Sequence, residues 1–490
     1  MRLVQSGAAD YATAVEEEIS EVPKGSRTDG RYQDALSGSY GIVKSWAEVQ
    51  YAAEEGLDAE FYVQPYLVEV DHSQTIVSCL DAGSKTGFAV VLRDSKLEFL
   101  IGTGSKVEVF RSEFPVNRWR WLRVRVGLVG KTLTTNIEQL NRLAETAPAA
   151  EAQTQTLAAP LAWGPNALLF GAGMFESVDK QAATPACFFN GRVDSPAFTL
   201  KSTGRVLAKY DFSREISSDS IIDVSGDGRN GVLVNAPTRG VKGYNWDGSE
   251  PDWTKATYGY GAIHFHEDDL DDAQWSTDFS LTIPSTARSG AYAVEVKASN
   301  GARDMVTFFV RPNPKSTAKV ALVLSTFTYL AYANERMFDQ TKSSAMATPG
   351  GVSIGDSHEY NTHLKARPDL GLSAYDVHRD GSPCAYSSAR RPILNLRPGY
   401  HHWALERPRE FSADLLMVGF LERSGIPYDT ITDHCLHLGG ARAAARYDTL
   451  ITSCHPEYHS LQTLDAFSGF AKAGGNLMYL GGNGFYWVAD

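Results

Sequence analysis

At 490 residues the chain is too long for one hydrophobic core and predicts about three domains. A hydrophobic fraction of 43% with 21% charged residues describes an ordinary folded protein, and a formal net charge of -12 without any Lys/Arg run argues against a nucleic-acid partner. No stretch reaches the ~18 apolar residues of a membrane span, and Met1 to Asp10 lacks the apolar core of a signal peptide. The cysteines (Cys79, Cys187, Cys384, Cys435 and Cys454) are odd in number and far apart, with neither a disulfide framework nor zinc-site spacing. They read as reduced thiols of a cytoplasmic protein.

Residues 1–60, with the acidic run Glu16-Glu17-Glu18, read as a partly helical or irregular lead-in. From Phe61 short β-type runs follow one another: Thr75 to Ser78, Gly87 to Leu92, Leu97 to Ile101, Trp119 to Val126, Ala167 to Phe170 and Leu207 to Phe212. Trp119 to Val126 largely alternates with period two, as a half-buried strand does. Ala147 to Thr156, rich in Ala, Gln and Thr, reads as a surface linker. Many short strands with Gly, Asn and Pro turns predict a β-sandwich over 61–250. The run Phe189-Asn190-Gly191-Arg192-Val193-Asp194 resembles the closing hairpin of laminin-G and concanavalin-like sandwiches, and the domain is assigned a structural or assembly role. Asp223, Asp227 and Asn230 around Gly226 and Gly228 fit no EF-hand spacing and read as a solvated turn.

Residues 251–314 read as a small immunoglobulin-like sandwich, with strands at Phe279 to Pro284, Ala291 to Val296 and Met305 to Val310. The preceding run His264-Phe265-His266-Glu267-Asp268-Asp269-Leu270-Asp271-Asp272 is dense in ligand-type side chains and could bind a cation, but such a run reads first as a solvated face. Pro312 and Pro314 mark the next boundary, and 315–490 has α/β texture. Lys319 to Leu324 is a near-continuous hydrophobic strand of the kind buried on both faces. Gln340 to Pro408 reads as mostly loop. A helix is predicted from Phe411 to Arg423, stopped by Gly425 and Pro427. Strands at Tyr428 to Thr432, Thr449 to Thr452 and Asn476 to Leu480, with a helix from Leu461 to Ala473, predict a parallel doubly wound sheet. The aromatic run Gly484 to Asp490, straight after a strand, predicts that further chain or a partner completes this fold.

The chemistry concentrates at strand ends. Cys454-His455-Pro456-Glu457-Tyr458-His459 places a carboxylate, two imidazoles and a phenol at the C-terminal end of the strand over Leu450 to Thr452, where open α/β sheets build sites. Glu457 is the leading candidate; its alternative is to cap the helix that starts near Ser460. His455 and His459 are candidate ligands, bases, supporting donors or plain structural histidines. Asn483, in the Gly-rich loop after the next strand, can orient a carbonyl or a metal-bound water. The loop residues Tyr375 to Gly381 and Tyr386 to His402, rich in Arg, Tyr and His, read as an active-site cover. Metal-assisted hydrolysis is the favoured reaction class.

Four segments, Ser325 to Tyr332, Tyr375 to Gly381, His455 to His459 and Tyr479 to Trp487, resemble the large (beta) subunit of N,N-dimethylformamidase. That resemblance implies a C-terminal domain of glutamine-amidotransferase-like fold, although its usual nucleophilic cysteine is not evident here. It implies one non-haem ferric ion held by two tyrosines and a glutamate. These fall on Tyr332, Tyr375 and Glu457, with Tyr386 and Tyr400 as further tyrosine candidates, and with His455 and Asn483 as catalytic or positioning groups. It also implies a small helical partner subunit in a hetero-oligomer, and a lysine and a catalytic glutamate beyond residue 490. The implied reaction is hydrolysis of N,N-dimethylformamide to dimethylamine and formate. Another metal-dependent amidohydrolase, or a carbohydrate-binding or scaffold protein built on the sandwich, is the alternative.

Overall fold

In a computed structural model the described residues are 37–140, 149–176, 183–275, 277, 279–336, 363, 364, 366–402 and 407–489. Residues 1–36 of the lead-in, with its acidic run, and residues 340–362, 365 and 403–406 of the predicted loop lie outside them. The described chain forms two compact units, one over Gly38–Asp269 with Arg379–Gly381 and one over Leu270–His378 with Ser382–Asp490.

The first unit is a sandwich of two eight-stranded sheets, antiparallel throughout. Its strands alternate as period two requires: Leu57–Pro65 is buried at every second residue, and so is most of Leu122–Val129. Leu57–Pro65 pairs with both Leu122–Val129 and Gly191–Leu200 at the centre of one sheet. Side chains from both sheets share one core, in which Phe198 packs against Trp46 at 4.8 Å and Phe88 at 6.5 Å between ring centroids. The sandwich begins earlier than the expected residue 61, because Tyr40–Val43 pairs with Leu168–Phe170 and Gly231–Val234. That strand is only four residues long and carries no period that sequence alone could separate from a loop. The expected linker is a strand, Ala150–Thr156, at the edge of its sheet. Thr and Gln suit a strand whose side chains alternate between half-buried and exposed. The turn at Asp223 is built by that carboxylate, which accepts from the amides of Lys209, Ser225 and Arg229.

The second unit holds a four-stranded parallel sheet in the order Tyr428–Thr432, Val320–Leu324, Thr449–Thr452, Asn476–Met478. Helices Phe411–Ser424 and Leu461–Lys472 connect its strands, as expected. The first ends at Gly425 in the left-handed conformation (φ 66°). The expected immunoglobulin-like domain is corrected to a single hairpin, Gly290–Lys297 with Arg303–Val310; Phe279 to Pro284 forms no strand. Two strands bury too little to stand alone, so Val306 and Phe309 join the core of Leu322, Leu324, Tyr329 and Phe411. The described part of the predicted loop has two short 3-10 turns, Pro368–Leu370 and Leu394–Leu396. It is pinned by Arg391, whose buried guanidinium donates to the carbonyls of Ser388, Leu370 and Leu372.

Candidate active site

The first parallel strand, Val320–Leu324, runs straight into a buried one-turn-and-a-half helix, Thr326–Ala331. Tyr332 sits at the C-terminal cap of that helix. The Thr328 hydroxyl oxygen accepts from the amides of both Glu457 and Tyr458, each at 3.1 Å. One threonine therefore fixes the backbone after strand Thr449–Thr452 against the helix after strand Val320–Leu324. Tyr375 is brought in from the loop by the amide of Ala374, which donates to Ala331 O at 2.9 Å. Ser373 and Asp376 tighten the same turn, the Ser373 amide donating to the Asp376 carboxylate at 2.8 Å.

The outcome is a polar cluster around Glu457, which is 4% exposed. The Tyr332 hydroxyl donates to Glu457 Oε2 at 2.8 Å, and the Tyr375 hydroxyl donates to Oε1 at 3.1 Å. The two phenol rings stack at 4.2 Å, 15° from parallel. Tyr458 donates to the Tyr375 hydroxyl oxygen at 2.9 Å. His455 lies between two carboxylates, with Nε2 3.2 Å from Glu457 Oε2 and Nδ1 2.9 Å from Glu410 Oε1. The Arg409 guanidinium lies 4.6 Å over the Tyr332 ring and donates through Nε to Glu410 Oε1 at 2.8 Å.

This setting determines the charges. Burial alone would push His455 down, but the Glu410 and Glu457 carboxylates on its two nitrogens raise it to about 9. Burial works against the Glu457 carboxylate, yet hydrogen bonds from His455 and Tyr332 hold it below its ordinary value. Burial pushes the phenols of Tyr332, Tyr375 and Tyr458 well above theirs. Burial also pushes the Cys454 thiol up, so it is no ready nucleophile.

Of the residues singled out from sequence, Tyr332, Tyr375, His455 and Glu457 meet. Asn483 does not hydrogen-bond to this network; it is exposed, in the left-handed conformation at φ 47°. Tyr400 is buried beside Glu335 and Glu410 instead. His459 Nε2 donates to Pro456 O (2.8 Å) and its ring stacks on Phe485, in a structural role. Glu457 does not cap the following helix: Ser460 does, accepting from the Thr463 amide. Sequence reading missed Glu410 and Arg409 altogether and undervalued Tyr458. The available signal was an Arg-Glu pair just before a predicted helix; Glu410 holds φ 52° at that helix start, a backbone state that non-glycine residues rarely take.

The sequence model of the family described as "N,N-dimethylformamidase beta subunit-like, C-terminal" matches residues 238–490. The N,N-dimethylformamidase beta subunit of Paracoccus aminophilus is 33% identical over 451 residues, covering 85% of this chain and 58% of its own length. That of Alcaligenes sp. is 30% identical over 528 aligned positions, covering 100% of this chain and 68% of its own length. The chain thus spans between about half and two thirds of these relatives' length. Among solved structures, domains LG4-5 of the mouse laminin alpha1 chain align with a TM-score of 0.25 at 9% identity, over 34% of this chain and 40% of that one. A heptameric SAP-like pentraxin from Limulus polyphemus aligns with a TM-score of 0.22 at 9% identity, over 35% of this chain and 81% of that one. On the sequence matches, the chain belongs to the N,N-dimethylformamidase beta subunit-like family.

Proposed function

We propose that this chain is the metal-bearing large subunit of an amide hydrolase that cleaves N,N-dimethylformamide to formate and dimethylamine. A mononuclear ferric ion would be held by Tyr332, Tyr375 and Glu457. The observation that carries this reading is the convergence of two tyrosine hydroxyls on the two oxygens of one buried carboxylate, at 2.8 and 3.1 Å. Three hard oxygen donors suit a ferric ion better than the imidazole-rich sets of ferrous sites do. A bound cation would also supply the charge that buried phenols need to ionise.

When bound, the ion supplies Lewis acidity toward the amide carbonyl and acidifies a water. The protein's own residues do the rest. His455, held between Glu410 and Glu457, is placed to hold or pass a proton for a departing amine. Tyr458 and Thr328 fix Tyr375 and Glu457 in place. A tertiary formamide has no N–H, so recognition falls on its carbonyl oxygen and small methyl groups. The relatives' designation as a beta subunit supports a second subunit as partner.

The test is to incubate the purified protein, with its partner subunit, with N,N-dimethylformamide and measure formate and dimethylamine. Equal release of both is expected, and it should be lost in Glu457→Ala. Tyr332→Phe should remove much of any visible phenolate-to-iron absorption. A spectrum unchanged by that substitution would move the ligand role to another tyrosine.

A further inference from the structure

We propose that His264, His266 and Asp380 form a separate metal site, for a divalent ion of the zinc class, within the sandwich unit. The sequence places the two histidines one residue apart, flanking Phe265 at the end of strand Ala262–Phe265. Period two puts them on one face. The expected solvated acidic run is corrected here: His264, His266 and Asp269 are all buried. Residues Arg379–Gly381 belong to the same unit and bring the buried Asp380 to that face.

Asp380 Oδ2 lies 2.9 Å from His264 Nε2 and 3.7 Å from His266 Nε2. The two imidazole centroids are 4.1 Å apart, and the three donor atoms all lie within 4.8 Å of one another. In a tetrahedral site with ~2.0–2.1 Å bonds, ligand atoms stand about 3.3 Å apart. The observed separations bracket that value. His266 is also held in the manner of a metal ligand. Its Nδ1 lies 3.0 Å from Asp269 Oδ2, and the same oxygen accepts the Ser39 hydroxyl at 2.6 Å. A carboxylate on one ring nitrogen orients the other nitrogen inward and raises its basicity, the usual support of a metal-bound histidine. Two imidazoles with one carboxylate favour a zinc-class ion over calcium or magnesium, which prefer oxygen. Such an ion would clamp residues 379–381 to strand Ala262–Phe265.

The full chain is stripped with a chelator and titrated with Co2+ as a spectroscopic stand-in for Zn2+, in parallel with Glu457→Ala, His264→Gln, Asp380→Asn and Asp269→Asn. The wild type and Glu457→Ala should each show the intense visible bands of one four-coordinate Co2+. His264→Gln and Asp380→Asn should lose those bands, and Asp269→Asn should weaken binding ~10–100-fold. The proposal fails if wild type and Glu457→Ala show no such bands, or if folded His264→Gln and Asp380→Asn bind as the wild type does. Should either variant fail to fold, the comparison of wild type with Glu457→Ala still decides.

Discussion

His455 is the residue whose chemistry depends most on its surroundings. Its folded-state pKa is raised to about 9 by two carboxylates, above the ~6.5 of an unfolded chain. Its contribution to stability is therefore fully present below about pH 6.5 and is lost as pH rises through about 9. Denaturation midpoints followed from pH 6 to 10 should fall for the wild type and fall less for His455→Gln; equal slopes would remove His455 as the cause. Thr328 matters for a different reason, since one hydroxyl oxygen takes two amides. Thr328→Val leaves both without that acceptor and should cost about 1–3 kcal/mol in chemical denaturation, with a larger proportional loss of activity because Glu457 moves. At this scale the sequence was partly legible. The strand-end run from Cys454 to His459 points to Glu457 by position alone, and the resemblance supplied Tyr332 and Tyr375. Glu410 and Arg409 were not legible, because their role arises from a helix start that the fold brings to His455 from 45 residues away.

The secondary structure elements that position the site were the easiest to read. Parallel strands buried on both faces leave hydrophobic runs and helices carry clear stop signals, and the helix ending at Gly425 was placed to within a residue. Gly425→Ala forces a Cβ into the left-handed region and should cost about 1 kcal/mol. The hairpin was misread because two alternating strands look alike whether they belong to a sandwich or pack on a neighbour's core. Its membership makes a prediction. Phe309 is buried among Tyr329 and Phe411, at 6.4 and 5.7 Å between ring centroids. Phe309→Ala should destabilise the parallel-sheet unit by about 3–5 kcal/mol. An unchanged unfolding transition for that unit, read by an α-helical signal, would return the hairpin to a domain of its own.

The whole molecule carries separate hydrophobic cores for the sandwich and for the parallel-sheet unit. Damage to one should leave the chemistry of the other readable. Phe198→Ala, deep in the sandwich, should lower that unit's unfolding midpoint while any iron-dependent absorption persists at temperatures above it. Loss of both together would mean that the units fold as one. Among the described residues no helix is long and apolar enough to cross a membrane. The central claim concerns one ion and three oxygen donors, and metal analysis of the protein purified without added metal tests it most directly. The account predicts close to one iron per chain in the wild type and almost none in Glu457→Ala prepared in parallel. Iron retained in full by Glu457→Ala, or a wild type whose only metal is zinc, would contradict it.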